Sequence, residues 1–342
     1  MNGAQSTIQK TTIQKIDAFQ RRTPPLAFAW AVVKKFGDDS AGSLAALVAY
    51  YGFLSLFPLL LVLITILGLV VTPSLSHKIV GSALGQFPII GQQLTGPNGV
   101  HALKAGSVVG LILGLAGLIW GSLGITQAAQ VAMAEVWNVR GVERPGFVPK
   151  LARGISFLVL LLLDVVATTV LAGFATFNGQ GAGARAGAGV VAIVVDAALF
   201  VAAFRVLTPS VIRTRQLLGG AIVAGIVWAG LQLGGTSLVA HQLKHTSQIY
   251  GYFGSILGLL AFLYLAAEIT MYAAELNVVW SRRLYPRSIK PPPLTSADRQ
   301  VLADIAMATE RNSEQTVDVT FVNPDAPWLR ADYRSRDTPG TR

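Results

Sequence analysis

The sequence predicts an all-α integral membrane protein: six transmembrane helices, an N-terminal interfacial helix and a short amphipathic outer helix. Three observations carry that reading. Of the 342 residues, 13% are charged and 52% hydrophobic, against about 25% charged in soluble proteins. Six stretches stay apolar for about 20 residues, the length that crosses a hydrocarbon core. The basic residues alternate between loops in the way that fixes membrane orientation. A soluble body so poor in charge would expose large apolar patches, which argues against an ordinary cytosolic enzyme.

The elements follow in chain order. Residues 1–43 read as a cytoplasmic arm with no apolar run of signal-peptide length. Within it Pro24-Pro25 opens an interfacial helix over Leu26–Phe36. Leu26, Trp30 and Val33 share one face there, and Lys34 and Lys35 are set for anionic headgroups. Asp38, Asp39 and Ser40 suit the cap of the next helix.

Residues 44–280 read as the transmembrane domain, with spans Leu44–Val71, Gly106–Met133, Leu151–Phe177, Ala188–Leu207, Leu217–Ala240 and Phe253–Val279. In the long outer loop, Leu75, Ile79, Ala83 and Phe87 recur at helical spacing and predict the outer helix. Asn178–Gly189 is low-complexity glycine and alanine. It reads as a flexible outer turn, because it lacks the Lys-Ser/Thr of a phosphate loop. Residues 281–342 read as a cytoplasmic tail. Pro291 to Pro293 stop the helix, and Thr295 with Asp298 forms a capping box for a short helix reaching about Arg311. The polar stretch beyond it is expected to be disordered.

Loop charge tests the count of six. On one side fall the arm, the tail, the second-to-third loop (Arg140, Arg144, Lys150, Arg153) and the fourth-to-fifth loop (Arg205, Arg213, Arg215). The other side holds Lys78, Lys104, Arg185 and Lys244 alone of the 27 basic residues. Both termini are therefore expected in the cytoplasm. The same asymmetry explains most of the net charge of +10. Because these residues are spread over short loops, they form no basic stripe for nucleic acid.

Acids inside a span cost about 2.5–3.5 kcal/mol each on insertion scales, so each calls for a reason. Asp164 and Asp196 fall near the middles of the third and fourth spans, Glu268 and Glu275 in the sixth, and Gln127 and Gln130 in the second. With no Lys or Arg inside a span to neutralise them, they read as a candidate polar pathway or as hydrogen-bonded ties between helices. Pro58 predicts a kink in the first span. Glycines recur every four residues, as at Gly110, Gly114, Gly230, Gly234, Gly254 and Gly258, and permit close helix packing or a homo-oligomer. His77, His101, His241 and His245 lack metal-site spacing, and the chain has no cysteine, so neither metal nor cofactor is expected. No Gly-x-Ser-x-Gly elbow or assembled Ser/His/Asp set suggests a hydrolase.

Several ordered blocks carry a resemblance: Ala45–Gly68 with Tyr50, Tyr51, Ser55 and Pro58; Trp120-Gly121 followed by Gln130 to Val139 and Arg144 to Phe147; and Tyr250, Gly251 and Gly254 leading to Glu275 and Asn277. Over roughly residues 30–285 the chain resembles the YihY/BrkB family of bacterial inner-membrane proteins. Relatives often carry Asn where Ala134 stands. The resemblance implies a six-span inner-membrane protein, with Tyr50, Glu275 and Asn277 the best candidates for a polar site and the other motif positions in packing. Some relatives bear a ribonuclease label, which these residues do not support. The expected function is transporter-like handling of a lipid-like or envelope substrate, with membrane lipids as partners and no nucleic acid. The rival expectation is a non-transporting scaffold for envelope assembly.

Overall fold

The structure, a computed structural model, describes residues 14–70, 108–177, 182–243, 251–291 and 293–321, and within the helices a subset of the side chains. Every regular element among the described residues is helical. Helix α1 (Pro24–Asp38) precedes six long helices: α2 (Ala41–Val70), α3 (Val108–Val136), α4 (Phe147–Phe177), α5 (Ala182–Leu207), α6 (Leu218–Leu243) and α7 (Gly251–Arg282). A short α8 (Ser296–Met307) follows, and residues 14–22 are also helical. The long helices coincide with the predicted spans to within a few residues, save that α5 starts earlier. Its first turns come from the Gly/Ala segment expected to be a turn, because alanine supplies helix propensity there. Among the described residues, Gly189–Leu207 and Ile256–Arg282 are long and apolar enough to cross a membrane, and Ala41–Leu56 and Leu218–Leu231 are shorter apolar runs. The outer helix predicted over Leu75–Phe87, together with His77, His101, His245 and the tail beyond residue 321, lies outside the described residues.

The long helices close into a ring, each packed on the next and α7 returning to α2. Small residues make the seams. Ala41, Ala45 and Ala49 of α2 and Ala129 and Ala132 of α3 are buried. At Gly225 a Cβ would stand 2.7 Å from the Ala197 nitrogen of α5, and at Gly220 it would stand 1.9 Å from the Ala273 carbonyl oxygen of α7. Gly230, on the predicted glycine stripe, has open space instead. Close packing of this kind is what joins helices where burial from water is not the driving force.

One end of the ring is closed by α1, and here the expectation for its lysines is corrected. Ala27, Ala31, Val32 and Lys35 face inward against α7 and α2, leaving Leu26 and Val33 exposed. Lys35 is fully buried rather than turned to headgroups. Its ammonium pairs with Asp39, donates to the Val136 carbonyl at 2.8 Å and lies 3.3 Å from Glu275 Oε2. Asn138, in the left-handed region (φ 46°), ends α3 and donates to Asp39 at 3.1 Å. So Glu275, read as unneutralised, has a cation supplied from outside the spans.

The chain after α7 is tied to the same end. Asp298 is buried, as the capping box with Thr295 requires. Its carboxylate takes Lys34 at 2.8 Å, Arg287 Nε at 2.9 Å, and the Ser288 N–H and hydroxyl at 3.0 and 2.6 Å. Arg287 also pairs with Asp38 at 2.7 Å, and Arg282 bridges Asp304 to the Trp137 carbonyl. Burial alone would raise the Asp298 carboxyl, but the hydrogen bonds from Lys34, Ser288 and Thr295 outweigh it and hold the group well below the usual carboxylate range.

Two predictions follow from this end of the molecule. Lys35→Ala leaves two carboxylates and a carbonyl buried without their cation, and should cost about 3–5 kcal/mol, read as earlier heat-induced loss of the monodisperse peak in detergent. For Asp298 the sign is that of a depressed carboxyl, whose stabilisation is present above the unfolded value near about 3.9 and is lost as pH falls through the folded value. Protection from hydrogen exchange at residues 284–300, taken relative to the intrinsic rate at each pH, should therefore be high at neutral pH and fall progressively below about pH 5. In Asp298→Asn it should be low throughout.

Candidate functional site

Inside the ring lies a chamber of about 270 Å³ to which all six long helices contribute. Gly52 of α2, Met133 of α3, Phe157 of α4, Phe200 of α5, Trp228 of α6 and Met271 of α7 are among its walls. Among the described residues, the wall is apolar apart from Asp196 and Thr270. Phe200 and Trp228 meet edge-on at 6.4 Å and join α5 to α6 across it. Met271 stands one turn before Glu275, and Met133 one turn before Trp137, so the chamber ends about one helical turn from the buried Lys35.

The predicted polar residues whose side chains are described do not converge on this space. Asp196 lines the chamber and is 5% exposed. Glu268 instead accepts from the Tyr264 hydroxyl at 3.4 Å, and Glu275 belongs to the Lys35 cluster. Asp164 lies on α4, but its side chain falls outside the described residues. Gln127 is exposed while Gln130 is buried, so the two separate although they are three residues apart. Gln130 donates to the Lys150 carbonyl at 3.1 Å and ties α3 to α4. Among the described residues, no cluster of three or more His, Cys, Asp or Glu could hold a metal ion. His241 lies on α6 with its side chain not described.

The motif residues divide by role. Asn277 is buried between helices, where its Oδ1 accepts from the Gly220 N–H at 2.6 Å and its Nδ2 donates to the Leu217 carbonyl at 3.1 Å. It thus caps the start of α6 from α7, satisfying an N–H that the helix cannot bond itself. Tyr51 packs across Gly124, where a Cβ would come within 2.3 Å of its ring. Tyr50 is exposed and meets Tyr51 edge-on, and the Ser55 hydroxyl donates to the Gly52 carbonyl at 2.9 Å. Pro58, Trp120, Gly251 and Gly254 lie within helices with nothing described at their side-chain positions, and Tyr250 lies outside the described residues. Ala134, at the Asn position of relatives, is buried beside Arg144 and Lys150 in a small pocket at the α1 end.

Lys35 and Asp39 are the residues that sequence reasoning placed wrongly. The signal was available: a lysine on the stripe Ala27, Ala31, Lys35, followed by an acid at i+4, points inward with a ready partner.

A ring of helices around an apolar chamber, with Val190, Val194, Ile222 and Ile226 exposed on its outer surface, defines a helical membrane-type protein. The chain belongs to the virulence factor BrkB family, whose match spans residues 32–296 and takes in Lys35, the chamber and Asn277. No curated protein and no solved structure matches it.

Asn277→Leu removes both hydrogen bonds without opening a cavity. The Leu217 carbonyl keeps the Ala221 N–H, so the group left unpaired is the Gly220 N–H, at a cost of about 1–3 kcal/mol, seen as a lower melting temperature in detergent. Gly220→Ala should fail more severely, because the clash is with backbone.

Proposed function

We propose that this protein is a six-span protein of the bacterial inner membrane, with both termini cytoplasmic, that moves or handles a lipid-like amphipathic substrate. It performs no chemistry on that substrate. The observation that carries the reading is the chamber, whose wall is built from all six long helices rather than from one pair. Its volume lies just under the range of about 300–1,000 Å³ typical of small-molecule sites, which suits one hydrocarbon chain better than a whole lipid. The basic loops lie at the α1 end, which the positive-inside rule assigns to the cytoplasm. The scaffold reading has less support, because α8 and residues 284–310 are committed to α1, α3 and α7 instead of standing free for partners.

The test is movement of a fluorescent phospholipid between leaflets of proteoliposomes. Wild-type protein should accelerate it. Ala203→Phe, which projects a ring into the chamber, should slow it severalfold while melting at the wild-type temperature. A wild-type protein without effect, or a well-folded Ala203→Phe as active as wild type, would remove the chamber from the mechanism.

A further inference from the structure

Three basic side chains near the α1 end lack acidic partners. Arg144 has Glu135 at 3.0 Å. Among the described residues, no carboxylate comes within ion-pair distance of Lys150, Arg153 or Arg205, and Arg153 lies close enough to Arg205 for the charges to repel. Arg153 Nη1 is buried with no hydrogen-bond partner. Holding like charges together with an unpaired buried N–H is costly in isolation, and an anion there would relieve that cost.

Lys150, Arg153 and Gln130 line a pocket of about 50 Å³, room for roughly three to five water-sized groups, which is the scale of a phosphate. Gln130 is 6% exposed, and with its Nε2 committed to the Lys150 carbonyl, its Oε1 is a buried acceptor without a donor. That acceptor suits a hydroxyl beside the phosphate. Next to this pocket an open groove of about 460 Å³ runs between α4 and α5, lined by Ile155, Val159, Leu160, Ala202, Arg205 and Val206. Arg205 lines the groove rather than the pocket, donates to the Ile212 carbonyl at 3.5 Å, and is near enough to Arg153 for the two charges to interact. Leu207 lines both the pocket and the chamber, and Leu160 both the groove and the chamber.

We propose that the α4–α5 face binds a phosphate-bearing membrane lipid, with the phosphate held among Lys150, Arg153 and Arg205, an acyl chain in the groove, and Leu160 as the partition to the chamber. Charge and shape agree on this occupant: cations without acidic partners at one end and a largely apolar wall along the rest. Asp196 in the chamber wall disfavours a phosphate there, which keeps the headgroup at the rim while a chain passes Leu160. The inference rests on the chain spanning the membrane, but its test is equilibrium binding and is independent of movement.

The experiment uses full-length protein in a zwitterionic detergent, with dioctanoyl phosphatidic acid as probe and binding read by native mass spectrometry. Wild-type protein should bind the probe. The double variant Arg153→Gln/Arg205→Gln should bind at least about tenfold more weakly, having lost two charge-assisted contacts. Arg213→Gln/Arg215→Gln, which alters two exposed cations outside the pocket, should bind as wild type. Without lipid, Arg153→Gln alone should melt no lower than wild type, since a repelling pair has gone, whereas a structural role for Arg153 would lower it. Lys150→Gln provides a milder variant should the double one misfold. Inorganic phosphate displacing the lipid at equal concentration would overturn the proposal in favour of a free-phosphate site. Unchanged affinity in the charge variants would also overturn it. Ala203→Phe should bind the probe normally, so a failure of the chamber mechanism and a failure of this site are separately visible.

Discussion

The structure depends on one buried ammonium. Lys35 reaches from α1 into the junction of α2, α3 and α7, where it meets Asp39, the end of α3 at Val136 and Glu275. Burying an ion costs several kcal/mol, recovered only when partners are close and well oriented. Here they come from the turn that ends α1, from α3 and from α7, so the charge is satisfied only when those elements are already in register. That is a condition on the whole end of the bundle rather than a local bond. It also explains why a glutamate can sit fully buried in α7 at all.

The chamber follows from where the close packing is spent. Alanine seams between α2 and α3, the backbone contacts at Gly220 and Gly225, and the Asn277 cap draw the helices together. Farther along the ring the facing positions carry Phe157, Phe200, Trp228 and two methionines. Large side chains around a closed ring cannot all meet at its centre, and a space remains. Asp196, the one acid on its wall among the described residues, marks it as a place for chains rather than for anions. The arginines without acidic partners outside it mark the complementary place.

Much of the fold was legible because membrane spans are a one-dimensional signal. Six apolar runs and the alternation of basic loops give six helices and their order without knowledge of contacts, and the Thr295/Asp298 box is a purely local pattern that the structure reproduces. The candidate site was less legible, because a cavity is a property of facing helices. Asp164, Asp196, Glu268 and Glu275 look alike along the chain, yet Glu268 faces a tyrosine of its own helix, Glu275 a lysine far away in sequence, and Asp196 the chamber. The lysines of α1 were assigned by amphipathic pattern to a lipid surface. The pattern was real and Asp39 lies at i+4, but burial of Lys35 depends also on Glu275 of α7, which no helical wheel of α1 contains. Gln127 and Gln130 show the same limit at three residues' spacing.

The contacts between the two ends of the chain also impose a timetable on biogenesis. Lys34 and Asp298 are 264 residues apart, and a ribosome adds about 5–20 residues per second. Helix α1 therefore emerges roughly a quarter of a minute to a minute before the carboxylate that receives its lysine exists. Until then Lys34 has water as its alternative, whereas the partners of Lys35 at Asp39, Val136 and Glu275 are all synthesised earlier. Sealing of the α1 end is thus the closing event of assembly, and a ribosome stalled before codon 298 leaves a bundle with its ring synthesised and its seal missing.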